Sequence, residues 1–427
     1  MNQPTLPTYP VLSFRSLRPA LASDQPNQLD LLLTIEPPQQ PMDGGQQQQR
    51  PPLNLALVID RSGSMAGSKL SHARKAARFL VGQLSSRDRL AIVTFDDEAE
   101  VVMPSRPVRD PQPFLAAINR IRSGRSTALF DGWRTGALQV AEHLEAAGLN
   151  RVLLLSDGHT NQGLTDSEQI GELVSGLCQR GVSTSAFGLG RDFDEDLMGA
   201  IATGGEGTLA HLESPEQLED LYAAELQGLA VTLGRQVKLR IEPYQGAALT
   251  DVLNDLPGDA TSGYRLPSLR YGQALNIAMQ FALPAWPPNQ PIARVTLEWI
   301  GQPELGMQQL HESVQLPVLT AADLQEMASD AVVEEEFAVI RSNRARRLAM
   351  QQLDRGDLQG AETTLGGVAE AMMCLSPSLR TTRELQLLQE KRQLLRRDRN
   401  AARKGLSKES LRSSLEVWDS ESDRSDP

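Results

Sequence analysis

Between Leu53 and Asp60 the chain reads LNLALVID, an almost unbroken apolar run that ends in a carboxylate. That is the pattern of a strand buried on both faces of a parallel sheet. RVLLLSDG, which carries Asp157 near its end, repeats it. Between and after these runs, helical stretches (Lys69–Leu84, Pro113–Ile121, Leu129–Ala147, Asp166–Gln179 and Pro215 to about Leu229) alternate with the strand-like runs RLAIVTF, VVMP, VSTSAFGLG and GTLAHL. Strands alternating with helices at this spacing predict a doubly wound α/β domain with a mostly parallel sheet over residues 53–229.

On either side the texture differs. Tyr9–Leu17 and Leu29–Glu36 alternate apolar and polar residues as short strands do, within an N-terminal segment 1–36. Residues 37–52, built of Pro, Gly and a Gln run, predict a flexible linker. After Gly234 the period falls to two, through QVKLRIEPY, YRLPSLRYG, LNIAMQFAL, ARVTLEWIG and HESVQLPVL, which predicts an antiparallel β unit over residues 230–320. An isolated pair of strands is marginal in water, so the N-terminal pair is expected to join this later sheet, making the α/β domain an insertion in an antiparallel sandwich. Residues 321–403 read as helical, broken at Gly356 and Pro377, and LDRGDLQGAETTL has the look of a single tetratricopeptide-type corner. Residues 404–427 are rich in Ser, Asp and Glu, and a disordered tail is expected there, either an idle solubilising segment or a docking motif with Leu411, Leu415 and Trp418 as helical anchors.

Composition narrows the function classes without choosing one. The 427 residues are 40% hydrophobic and 22% charged, ordinary for a globular protein. A formal net charge of -12 argues against nucleic acid as a partner. Two distant cysteines, Cys178 and Cys374, make no disulfide framework. The N-terminus lacks the charged and apolar regions of a signal peptide, and no apolar stretch is long enough to span a membrane, so a cytoplasmic protein is expected.

The candidate chemistry lies in three separated pieces: Asp60-Arg61-Ser62-Gly63-Ser64, Thr127 in the loop SGRSTALFDG, and Asp157. In open α/β sheets ligands bind outside the carboxyl ends of the strands. The first and third pieces lie at such ends, and the loop of the second can reach the same edge. Two carboxylates and three hydroxyls suit a hard, oxygen-preferring cation, above all Mg2+, with Mn2+ or Ca2+ as other occupants. No His or Cys stands in these pieces, which excludes zinc as the favoured metal.

In this order and on these strands, Asp60-x-Ser62-x-Ser64, Thr127 and Asp157 resemble the metal-ion-dependent adhesion site of von Willebrand factor A domains, including integrin I domains, and the resemblance covers about Leu53 to Leu229. TFDDEAEVVMP, between the first two pieces, looks like a further family stretch. Many members have Gly before the threonine, whereas Arg125-Ser126 precede it here. The resemblance implies that Ser62, Ser64 and, in the ligand-bound state, Thr127 touch the metal directly and that Asp60 and Asp157 act mostly through water. It further implies a partner protein that donates a Glu or Asp to the metal, across a rim of Arg61, Met65, Arg125, Leu129 and His159. The other function it suggests is a regulatory subunit for a separate AAA+ ATPase of the chelatase or MoxR type, or for a kinase or phosphatase system.

Competing motifs fall short. GSMAGSK lacks the Gly-Lys-Ser/Thr ending of a phosphate loop. A hydrolytic triad of Ser62, His159 and Asp157 lacks a G-x-S-x-G elbow. A binding protein is therefore expected, not an enzyme.

Overall fold

The computed structural model describes residues 9–39, 51–145, 148–158, 162–190, 193–212, 214–301, 306–397 and 406. Most of the expected linker, all but one residue of the expected tail, and His159 lie outside the described residues. In chain order the first elements are β1 (Val11–Ser16), β2 (Leu21–Ala22) and β3 (Asn27–Glu36). Next come β4 (Leu53–Asp60), α1 (Ser68–Gln83), β5 (Arg89–Phe95), β6 (Ala99–Pro107), α2 (Gln112–Arg120), α3 (Leu129–Ala141) and β7 (Leu149–Ser156). Then α4 (Ser167–Cys178), β8 (Ser183–Leu189), α5 (Glu195–Gly204), β9 (Leu209–Leu212) and α6 (Leu218–Ala230) follow. The later strands are β10 (Thr232–Pro243), β11 (Ala248–Val252), β12 (Gly258–Asp259), β13 (Gly263–Leu266), β14 (Leu269–Arg270), β15 (Leu275–Leu283), β16 (Ala293–Ile300), β17 (Met307–Val314) and β18 (Val318–Leu319). The last helices are α7 (Ala321–Gln325), α8 (Ala331–Asp354), α9 (Leu358–Met373) and α10 (Leu379–Arg397). Two compact units result, one of residues 42–236 with 300–306, the other of residues 1–41, 237–299 and 307–427.

In the α/β unit the strand order is β6-β5-β4-β7-β8-β9, parallel except for the antiparallel edge strand β6. All eight residues of β4 are buried, because helices cover both faces. Leu55, Leu57 and Ile59 pack with Leu70, Ala73 and Leu80 of α1, Phe114 of α2 and Tyr222 of α6. The alternate residues Ala56 and Val58 face α3, which lies so close that a Cβ on Gly136 would come within 2.3 Å of Val58 Cγ2. Helix α3 can therefore cross the sheet centre only because the contacting residue lacks a side chain. The indole of Trp133, three residues before Gly136, donates to Thr184 Oγ1 at 3.1 Å and ties the helix to β8.

The other unit contains two larger antiparallel sheets. One runs β1-β3-β15-β11, and the other follows β12-β13-β10-β16-β17 with β14 paired to β10. The N-terminal strands thus join the late ones. β15 pairs with β3 along its whole length, from Leu275 opposite Ile35 to Leu283 opposite Asn27. Leu32 and Ala278 on one face of that sheet pack under Val333, Phe337 and Ile340 of α8. Leu31, Leu33, Ile277 and Met279 point the other way and are also fully buried. Val237, Leu239, Val295 and Leu297 of the second sheet are buried as well. Helices α8, α9 and α10 share a core of Ala349, Leu353, Leu365, Ala369 and Leu388. Within it Arg346 pairs with Glu384 at 2.5 Å, and Ser342 Oγ donates to the same carboxylate at 2.7 Å.

Candidate functional site

β4 and β7 are neighbours in register, so Asp60 and Ser156-Asp157 emerge side by side at the carboxyl edge of the sheet. Beyond Asp60 the chain turns at once into a single 3-10 turn, Gly63–Met65, with Ser62 before it. Asp60 is fully buried and both its oxygens accept hydrogen bonds. The backbone N–H of Ser62 donates to Oδ1 at 2.8 Å, and Ser156 Oγ donates to Oδ2 at 2.5 Å. Burial outweighs these bonds and pushes the Asp60 carboxyl up from 3.8 to about 6, with the nearby Asp157 charge adding to the rise. From Ser62 a chain of contacts runs on: Ser62 Oγ lies 3.0 Å from Ser64 Oγ, which donates to Asp157 Oδ1 at 2.7 Å.

Backbone hydrogen bonds bring the third piece to this turn. The N–H of Gly63 donates to Arg125 O at 3.0 Å, and that of Gly124 donates to Arg61 O at 2.6 Å. On the far side Ala128 N–H donates to Asp96 O at 2.7 Å, and Ser126 N–H to Asp97 Oδ1 at 2.8 Å. Position 124 must be glycine for this docking, since a Cβ there would fall 1.7 Å from Asp96 Oδ2. Thr127 is buried, and its hydroxyl and that of Ser64 both lie near Gly158. A Cβ at Gly158 would lie 3.4 Å from Ser64 Oγ and 3.8 Å from Thr127 Oγ1. Asp60, Ser62, Ser64, Thr127 and Asp157 therefore come together from three loops.

The expected rim fares differently. Met65 and Leu129 are fully buried, and Met65 belongs to the core between the sheet and α1. Neither faces a partner, because the short turn and the first turn of α3 direct these side chains inward. Arg61 is turned aside, its guanidinium donating to Asp96 at 3.2 Å and Glu100 at 2.9 Å. Arg125 is exposed, as a rim residue must be. Two further residues, unmarked in the motif, belong to the cluster. Ser156 holds Asp60, and Lys69 on the first turn of α1 donates from Nζ to Asp157 Oδ2. Ser156 directly precedes Asp157, so its position was a signal. Lys69 was visible only as the first residue of the expected helix.

Residues 54–224 match the model of the von Willebrand factor type A domain. This segment is a von Willebrand factor A domain. Over more of its length the chain is 26% identical to an uncharacterized protein, sll0103, of Synechocystis sp., across 75% of this chain and 79% of that one. With the protein YfbK of Escherichia coli the identity is 29%, over 45% of this chain and 34% of YfbK. A solved structure, a von Willebrand factor type A protein from Catenulispora acidiphila, superimposes with a TM-score of 0.69 at 16% identity, covering 96% of this chain and 98% of that one. Its likeness establishes the fold across both units. Von Willebrand factor A domains are typical protein–protein interaction modules, and no described helix here is long and apolar enough to cross a membrane.

The donor chemistry of the cluster fits a hard divalent cation. Every side-chain ligand on offer is oxygen, three of them neutral hydroxyls. Among the described residues no three or more His, Cys, Asp or Glu are grouped so that they could hold a metal ion by themselves, so a cation at this cluster would need the hydroxyls of Ser62, Ser64 and Thr127.

Proposed function

We propose that this protein binds an acidic side chain of a protein partner through a divalent cation, Mg2+ above all, held at the carboxyl edge of the α/β sheet. The observation behind this reading is the continuous polar chain Asp60–Ser62–Ser64–Asp157, with the Thr127 and Ser64 hydroxyls both near Gly158. Ser62, Ser64 and Thr127 would hold the ion directly, and Asp60 and Asp157 would orient those hydroxyls and bound water. A cation there would supply an electrophilic position for one anionic oxygen, since neutral ligands leave most of its charge in place. Asp60 and Asp157, with both oxygens of each already engaged, are poor candidates to fill that position themselves. An outside Glu or Asp is the complementary ligand.

Recovery of partners from a lysate of the native cell, with and without EDTA, tests the reading. Association should vanish with chelator, return with Mg2+ or Mn2+, and fall in Thr127→Ala. Partners that stay bound in chelator and to Thr127→Ala would dock elsewhere, and the proposal would be lost.

A further inference from the structure

Lys69 brings a positive charge into a cluster that already has a candidate cation. It is the second residue of α1, and its ammonium donates to Asp157 Oδ2 while Ser64 Oγ holds Oδ1 at 2.7 Å. The Asp157 side chain is fully buried, whereas that of Lys69 keeps 35% of its surface in solvent. Its end lies near Gly190, just past β8, where an added Cβ would lie 3.8 Å from Nζ and 4.0 Å from Cε. The ammonium is therefore held by the buried Asp157 carboxylate while part of the side chain stays in solvent.

The geometry points to Lys69 as a charge-setting residue that weakens divalent-cation binding and strengthens the grip of the loaded site on an anionic ligand. This rests on the metal-dependent reading above and deepens it. Asp60 and Asp157 carry two negative charges when ionised, enough by themselves to neutralise a divalent ion. Lys69 cancels one of them, so a loaded cluster keeps a net charge of +1, which the cluster without Lys69 would lack. The same charge repels the incoming ion, and in a partly buried site that repulsion is poorly screened. Affinity for metal and affinity for the carboxylate are thus set against each other by one side chain.

The test uses the full chain in three forms: wild type, Lys69→Met and Lys69→Arg. Methionine matches the length of the stem and removes the charge, and arginine keeps the charge. Mg2+ affinity is measured by titration calorimetry at neutral pH, with melting curves to confirm that each variant folds. Lys69→Met should bind Mg2+ about tenfold tighter or more, the size expected when one nearby unit charge is removed, and Lys69→Arg should match wild type. In the second arm the Mn2+-loaded proteins are titrated with 13C-labelled acetate, and line broadening reports acetate reaching the ion. Broadening should be several-fold weaker with Lys69→Met than with the other two. Binding of Mg2+ by Lys69→Met but not by wild type or Lys69→Arg would overturn the metal-dependent reading, since the native site would then not load. Equal or weaker Mg2+ binding by Lys69→Met would overturn it while leaving the metal site intact. Failure of all three forms to bind Mg2+ or Mn2+ would overturn both the inference and the reading it rests on.

Discussion

Replacing Asp60 by asparagine keeps the shape of a fully buried carboxyl and removes its charge. The Ser62 N–H can still donate to Oδ1, and Ser156 Oγ can turn to accept from the new amide instead of donating. Burial raises the folded carboxyl from 3.8 to about 6, so the metal-free folded state favours the neutral acid. The stability this group contributes is therefore complete below about pH 4 and is lost as pH rises to about 6. At 1.36 kcal/mol per pH unit the loss is about 3 kcal/mol. Asp60→Asn escapes it. In EDTA the variant should match wild type near pH 4 and exceed it by about 3 kcal/mol at pH 7.5. For a unit of this size that is a rise in Tm of roughly 6–12 °C. The measurement is a set of calorimetric melts of both proteins from pH 4 to 8. Their difference matters, since every other titrating group is common to both. With Mg2+ present at pH 7.5 wild type should recover much of the deficit and the variant should gain little. A wild-type-minus-variant difference that is flat from pH 4 to 8 would show that solvent or a cation already neutralises the charge, and the burial argument would be wrong.

Ser62→Ala and Asp157→Ala should each abolish Mg2+ binding by calorimetry while the protein still melts cooperatively. Both side chains are buried, so each change should also lower stability by about 1–3 kcal/mol, the range for broken buried hydrogen bonds. Gly136→Ala should destabilise the α/β unit by about 1–3 kcal/mol in urea titrations, despite the better helix propensity of alanine, because its Cβ meets Val58. A neutral or stabilising result would mean that α3 rides farther from the sheet. In the other unit the Arg344 side chain, by its hydrogen bonds at 2.5 and 3.1 Å, holds the Asp251 carboxyl below the usual range. Arg344→Ala should raise that carboxyl toward its ordinary value in an NMR pH titration, and an unchanged midpoint would remove the pairing of α8 with β11.

How much of this could be read from the chain depended on the kind of signal. LNLALVID and RVLLLSDG became the central neighbours β4 and β7, because a strand covered on both faces must be apolar at every position. The break at Gly356 separates α8 from α9 as expected, and the region of Pro377 separates α9 from α10. β11 is not legible, since ALTDV lies at a sheet edge, buries only Val252 and has no clear apolar alternation. The metal-ligand candidates were legible because each ends a recognisable strand or stands in a turn. The rim was legible only in part. Met65 and Leu129 sit beside the candidate ligands in sequence, yet neighbouring residues in a turn or helix point in different directions, and apolar ones turn inward. Lys69 and Asp157 stand 88 residues apart, and no local pattern announces such a pair.

The pairing of β3 with β15 also sets a schedule for synthesis. Thr34 and Asn276, which share a hydrogen bond, are 242 residues apart. At roughly 5–20 residues per second a ribosome needs about 12–50 s to cover that distance. Throughout that interval β3 has β1 on one edge and an unmatched row of amides and carbonyls on the other. The α/β unit, whose strands pair across shorter separations, has time to fold first. The nascent N-terminal ribbon must then wait for its partner strand, and in that window a holding chaperone or a slower ribosome would decide how much of the protein reaches its native state.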